Sequence, residues 1–521
     1  MTVPGWDIIV VGAGSAGAAL AARSAERGKR VLLLEAGPDY RTAQMPEAWR
    51  SPNPARALMD PTAVTGLVWE GVNAARTDEQ PQAPYWRGRG AGGSSSINGQ
   101  IAIRPPMEDF EDWAAAGCTG WSPSDVLPYF ARLEDDEEFG DEPYHGRGGP
   151  TPIFRTPQER WGGVDGALSA AAQAAGHSWA PDVNAPGAAG VSPYPINSRG
   201  GRRVTVNDGY LEPVRSLAGL TVRGGALVDR VVVEDGRAVG VRVIAEGAVT
   251  TEHADEVVVS AGVIHSPAIL LRSGIGPAED LRRLGIAVLA DLPVGRGMQD
   301  HPMIVVGLPL TADAALKTDD DRHTNVCVRC SSGAPGAAPH DMMLVSLNMN
   351  VLSMAGADTR FPMGGFGVWL NHNHSRGVLT LTSTDPRAQP EVRERMLSDE
   401  RDLARLRDGV RALVGMARGP EAATVVDGSV EDANRDLFAV LDDDAELDDH
   451  LLATAADAQH GTSTCRMGAA DDDSAVVDPT CRVRGVEGLR VVDASIFPSV
   501  PRANTNLASI MLGELMADRL G

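Results

Sequence analysis

Three glycines and one carboxylate near the amino terminus have the spacing of a nucleotide site. They are Gly12, Gly14 and Gly17, in Gly12-Ala13-Gly14-Ser15-Ala16-Gly17, and Glu35, 18 residues beyond the last glycine. In such a turn the first glycine supplies the backbone angles and the second lets main-chain N–H groups approach a pyrophosphate. The third permits close helix-to-strand packing. A carboxylate at that remove hydrogen-bonds ribose hydroxyls and favours an adenosine without a 2′-phosphate. The chemistry implied is capture of a dinucleotide, with FAD and NAD both open. Two other spacings resemble halves of metal sites. Cys327 and Cys330 make one CxxC, and His372 and His374 alternate as if projecting from one face of a strand. Neither completes a tetrahedral set, so both read as structural and no metal is expected.

These residues require particular elements around them. Asp7 to Val11 is a short apolar run suited to a strand, Ala18 to Arg27 is rich in helix formers, and Arg30 to Leu34 reads as a second strand ending at Glu35. Strand, turn, helix, strand and acid in register make the dinucleotide reading much stronger than the glycines alone. A second glycine-rich stretch, Arg87-Gly88-Arg89-Gly90-Ala91-Gly92-Gly93-Ser94-Ser95-Ser96-Ile97-Asn98-Gly99, is too poor in side chains for a helix or strand interior. It suits backbone packed against a flat ring. Near the carboxy terminus Leu507, Ile510, Met511 and Leu515 are spaced for one helix face, with Asn504 just ahead of it.

Composition removes several function classes. A formal charge of −23 repels nucleic acid and anionic lipid. Hydrophobic residues make up 43% of 521, with no 18-residue apolar run, so no membrane insertion is expected. Nothing ahead of Ile8 resembles a secretory leader, and five scattered cysteines do not form a disulfide framework, which together favour a cytoplasmic protein. The acidic runs Glu134 to Glu138, Asp442 to Asp444 and Asp471 to Asp473 read as solvated surface.

The second glycine-rich stretch, together with Ser260-Ala261-Gly262-Val263-Ile264-His265-Ser266-Pro267, closely resembles the two signatures of the glucose-methanol-choline oxidoreductases. Glu35-Ala36-Gly37, Val294 to Pro302 and the carboxy-terminal region extend the resemblance over nearly the whole chain. It implies FAD as cofactor, with adenine contact near Val228, ring contact by Asn98, Gly99 and Ile101, and ribityl or pyrophosphate contact at Asp493 and Ala494. Ser15, Ala16, Ala36, Trp69, Gly93, Ala261, Thr505 and Asn506 complete the implied cofactor set. Val263 departs from the smaller residue usual in the second signature. Ile97 stands where some relatives carry a flavin-linking histidine, so the FAD is expected to be non-covalent.

Gln459-His460-Gly461-Thr462-Ser463 is similar to the family's catalytic-histidine segment, which makes His460 the candidate general base. Removing the hydroxyl proton as hydride leaves the carbon prevents build-up of positive charge, and imidazole exchanges protons near neutrality. Asn504 matches the second catalytic position, where an amide donates to the substrate oxygen. Trp369, Asn371 and Gln459 are expected to touch substrate, Gln459 replacing an aromatic residue common in relatives.

The resemblance implies an α/β fold: a discontinuous Rossmann-like FAD domain, at about 1–155, 201–310 and 455–521, and an α+β substrate domain with an antiparallel sheet, at about 156–200 and 311–454. The expected reaction is oxidation of a small-molecule alcohol with hydride transfer to flavin N5. Dioxygen, a quinone or another carrier remain open as acceptor, as does the oligomeric state. The alternative is a non-redox lyase of the hydroxynitrile type that keeps FAD.

Overall fold

The computed structural model describes residues 5–58, 66–349 and 363–521. Strand β1, Trp6–Val11, leads through the glycine turn into helix α1, Ser15–Glu26, and strand β2, Val31–Leu34. β2 is buried at all four positions, as expected for a strand covered on both faces. β1 lies parallel between β2 and the end of the strand Ala248–Val259. Leu220–Arg223 extends the sheet in parallel beyond β2, and Leu489–Val491 does so beyond Val257 to Val259. The other half of Ala248–Val259 joins an antiparallel meander with Arg237–Ala245 and Leu227–Glu234. The seven strands therefore come from three distant parts of the chain, and ligand chemistry is expected at the carboxyl ends of the parallel ones.

A second sheet is antiparallel throughout, in the order Ala456–Asp457, Pro302–Pro309, Met363–Leu370, Met342–Leu347, Val326–Cys330, Gly190–Pro193. Its strands obey the two-residue period. Ile304, Val306, Leu344, Phe366 and Val368 face one apolar core with helices Gly163–Ala174 and Glu400–Ala417. Met303, Val305, Met343, Val345 and Trp369 face the opposite way, toward Ile101, Tyr194 and Ala503. Pro302–Pro309 and Ala456–Asp457 belong to this sheet, although both fall within the segments that the sequence assigns to the FAD domain. A further sheet pairs Asn73–Ala75 with Glu391–Arg393, joining the two expected domains.

The acidic run 134–138, expected at the surface, is partly interior. Glu134–Asp136 is a strand beside Thr151–Arg155, so alternate carboxylates turn inward, and Glu134 and Asp136 are fully buried. Arg104 donates to both oxygens of Glu134 at 2.7 Å and Arg155 to both oxygens of Asp136 at 3.0 Å. His145 bridges Glu134 at 2.8 Å and Asp182 at 2.9 Å. Residues 442–444 are exposed as expected, and Asp443 caps the helix Asp444–Thr454. His372 and His374 lie beyond the end of their strand at Leu370, with rings perpendicular at 5.2 Å. The carboxy-terminal helix, Thr505–Arg519, is buried at every position from Leu507 to Ala517 instead of along one stripe, because it runs through the core against α1.

Candidate active site

Two helix starts converge beside the first sheet. α1 begins after Gly14 with no acidic residue in its first turn and no side-chain cap, and the helix Thr505–Arg519 begins after Asn504 in the same way. Their first-turn N–H groups and positive dipole ends are thus left for an anionic ligand. Ser15 Oγ donates to Asn506 Oδ1 at 2.8 Å, tying the two starts together. Gly12 has φ of +104°, and a Cβ there would come within 2.4 Å of the Ser260 carbonyl oxygen. A Cβ on Gly17 would stand 2.1 Å from the Gly12 oxygen, so the helix packs on the turn as closely as the spacing requires. Ala16 is buried in that first turn, and Gly93 packs on Gly14.

Glu35 accepts from the N–H groups of Ala13 at 2.9 Å, Gly37 at 2.8 Å and Gly90 at 2.9 Å, holding three loops around the turn. Burial raises its pKa while the three N–H groups oppose the rise. One acceptor position on Oε2 remains for a ribose hydroxyl. Ala36 presents its carbonyl to Arg89 at 2.9 Å, and Trp69 stacks on His265 at 4.0 Å. Asn98 Oδ1 accepts from Arg203 at 3.0 Å, the Gly99 carbonyl accepts from Arg322 at 3.0 Å, and Ile101 joins the apolar face described above. Ala261 donates its N–H to Ser266 Oγ at 2.9 Å, and Asp493 holds the Gly262 N–H at 2.9 Å. Ala494 accepts from the Ser463 N–H at 3.3 Å, Thr505 accepts from Ser509 Oγ at 2.8 Å, and Val228 is buried in its strand.

The two candidate catalytic residues, 44 positions apart in sequence, touch: Asn504 Nδ2 donates to His460 Nε2 at 2.8 Å. On the other side of the ring His460 Nδ1 lies 3.0 Å from His301 Nδ1, and His301 Nε2 lies 3.1 Å from the Asn371 carbonyl oxygen. Asp300 Oδ1 accepts the backbone N–H of both His301, at 2.7 Å, and His460, at 2.8 Å. Its other oxygen accepts from Tyr85 at 2.6 Å. Burial, with Asp457 nearby, raises the Asp300 carboxyl to about 7. Burial lowers His301 to about 4. It also puts His460 well below the ordinary value, helped by His301 and by the Arg87 cation. Asp300, His301 and Tyr85 carry no assigned role in the sequence. Asp300 and His301 are signalled only by the Gln299-Asp300-His301-Pro302 stretch within the family-like segment, and Tyr85 by none.

Trp369 stands edge-on to His460 at 6.3 Å between ring centroids, and its indole N–H donates to Asn371 Oδ1 at 2.7 Å. Asn371 is fully buried, its side chain holding Trp369 and its carbonyl facing His301. Gln459 has φ of +63°, turns its side chain to Asp457 and gives its carbonyl to Arg87 at 3.0 Å. Gly365 and Gly367 fall on the same sheet face as Trp369, and a Cβ on Gly367 would press to 3.0 Å from Val345. The face there is apolar, with Val305 and Val345 packing over the two glycines.

The residues fit FAD: two uncapped helix starts for the diphosphate, a carboxylate with one acceptor position for ribose, and a second glycine-rich loop packed on the turn at Gly14. Fold and site together define the class, an FAD-dependent enzyme that oxidises an alcohol. Models of the GMC oxidoreductases match residues 6–303 and 373–513, and the chain belongs to that family. It is 37% identical over 539 residues to the 5-(hydroxymethyl)furfural oxidase of Methylovorus sp. (strain MP688), covering 100% of this chain and 99% of the relative. It is 34% identical to an oxygen-dependent choline dehydrogenase of Rhizobium johnstonii, covering 99% and 95%. The crystal structure of a pyridoxine 4-oxidase from Mesorbium loti superposes with a TM-score of 0.87 at 28% identity, covering 99% of each chain. This kinship favours oxidation over the lyase alternative.

Proposed function

We propose that the enzyme oxidises the hydroxymethyl group of a small uncharged substrate, with His460 as general base and Asn504 as hydrogen-bond donor to the substrate oxygen. The observation that carries this reading is the 2.8 Å contact between His460 Nε2 and Asn504 Nδ2 beside an uncharged apolar face. A hydroxyl placed between them gives its proton to Nε2 and accepts from the amide as negative charge grows on oxygen. FAD, when bound, supplies the hydride acceptor. The start of the helix Thr505–Arg519 points its positive end into the same place and favours negative charge there.

Met303, Met343, Val345 and Trp369 form the proposed wall of the substrate pocket, an apolar surface against which a flat ring can lie. Asn371 contributes by holding Trp369. Gln459 contributes by shaping the backbone ahead of His460. A quaternary ammonium group finds no carboxylate among these side chains and is repelled by Arg87, whereas the furan and pyridine alcohols named for two of the relatives are neutral or nearly so. The acceptor is taken to be dioxygen, in line with the oxidase relatives. The flavin is held non-covalently, since Ile97 is packed with Tyr40, Trp49 and Leu67. The free thiols accord with a reducing, cytoplasmic setting. Domain limits near residues 300 and 458 are preferred to those read from the sequence, since they keep the strands Pro302–Pro309 and Ala456–Asp457 with the sheet they pair in.

Anaerobic mixing with 5-(hydroxymethyl)furfural should bleach the flavin faster than mixing with choline, and admitted oxygen should restore the colour. Faster bleaching by choline would reject the uncharged substrate. Acid precipitation should leave the yellow cofactor in the supernatant, and colour retained in the pellet would reject non-covalent binding.

A further inference from the structure

We propose that His301 is a positioning residue that fixes the tautomer of His460, so that the lone pair of the base is on Nε2, facing the substrate. The proposal rests on the reading of His460 as base and adds the residue that makes it one. A backbone carbonyl only accepts hydrogen bonds, so His301 Nε2, 3.1 Å from the Asn371 oxygen, carries a hydrogen. Neither imidazole is hydrogen-bonded by a carboxylate, and both are held neutral by burial. The Pro501 carbonyl also accepts from this ring; a neutral ring has one N–H, and with it on Nε2 His301 Nδ1 is a lone pair. Across the 3.0 Å gap between the two Nδ1 atoms the donor must then be His460. That leaves His460 Nε2 bare.

The opposite end of the chain gives the same answer independently. Asn504 Nδ2, which only donates, faces His460 Nε2 at 2.8 Å, so Nε2 accepts. The backbone holds the arrangement, because one oxygen of Asp300 takes the N–H of both histidines. The rings meet edge to face, 5.2 Å apart at 78°. Serine-hydrolase triads use a carboxylate for this task. Here a neutral imidazole anchored to a carbonyl does it, so the base stays uncharged until the substrate hydroxyl delivers its proton to Nε2. The Nδ1–H then still has an acceptor in His301.

The test compares His301→Leu and His301→Gln in FAD-loaded protein, because glutamine can accept from His460 Nδ1–H and donate to the Asn371 carbonyl while leucine can do neither. Wild-type protein labelled with ¹⁵N-histidine should show His460 with its proton on Nδ1, and H301L should lose that signature. H301L should slow flavin reduction by at least about tenfold with little change in KM; a triad histidine held in the wrong tautomer loses ~10⁴-fold. H301Q should recover most of the rate. Equal losses in both variants, a wild-type rate in H301L, or an Nε2–H signature in the wild type would overturn the proposal. His460→Ala measured alongside separates the two readings. Unimpaired reduction there rejects His460 as base, whereas impaired reduction with normal H301L rejects only the role of His301.

Discussion

His145 is buried and His460 half-buried, and their surroundings send them to opposite charge states. His145 lies between Glu134 and Asp182, with Asp136 close by and Arg104 and Arg155 completing the group. Its two carboxylate bonds outweigh burial and raise its pKa to about 9. Protonated, it brings the group to three cations against three carboxylates. His460 meets a second imidazole, an amide and only the backbone side of Asp300's interactions, and burial then keeps it neutral. One ring is a charged pin between strands and the other is held uncharged, as the proposed base must be. The difference teaches that partners, more than depth, decide what a buried histidine does.

The contrast is broken most directly at the base. His460→Ala is expected to retain FAD and to slow flavin reduction by roughly 10²- to 10⁴-fold in stopped-flow measurements. Asn504→Ala, which removes one donor to the developing oxyanion, should cost about 10²-fold in the same trace. At the other site His145→Leu leaves Glu134 and Asp182 buried without their shared cation. A loss of about 3–5 kcal/mol of stability is expected, read as a lower Tm, with reduction rate per bound FAD unchanged. A slowed rate there would show that the two regions are not separate.

The pH dependences should differ in sign, with smaller effects. His145 is raised from 6.5 to about 9, so its stabilisation is complete below 6.5 and is lost as pH rises through about 9. Thermal unfolding across that range should show the decline, and H145L should abolish it. His460 is shifted the other way, so the reduction rate should stay level as pH falls through 6.5 and drop only at more acid pH. A rate that halves near 6.5 would place His460 in an ordinary aqueous setting.

The nucleotide turn was legible because its cause is local: glycine angles, an uncapped helix start and a carboxylate at fixed remove all lie within 35 residues. His460 and Asn504 were legible only through family-like segments, since no local pattern tells a histidine that its amide partner lies 44 residues on. His301 was hidden for the same reason, its role depending on a ring and a carbonyl supplied by two other segments. The acidic run misled because charge was read without period. Taken as a strand, Glu134 and Asp136 share one side and Asp135 the other, and only the fold brings the arginines that make burial tolerable. The low aromatic content, 4%, likewise says little about the substrate, because the proposed wall beside His460 takes a single aromatic ring, Trp369, among methionine and valine.

In the strand Met363–Leu370 Phe366, Val368 and Leu370 look into the helices behind, and Trp369 looks the other way, toward the proposed pocket. A bulkier or more polar alcohol can therefore be admitted by exchanging Trp369 while the inward letters continue to hold the domain together, whereas Gly365 is locked, since a Cβ there would come within 2.9 Å of the Val306 carbonyl oxygen.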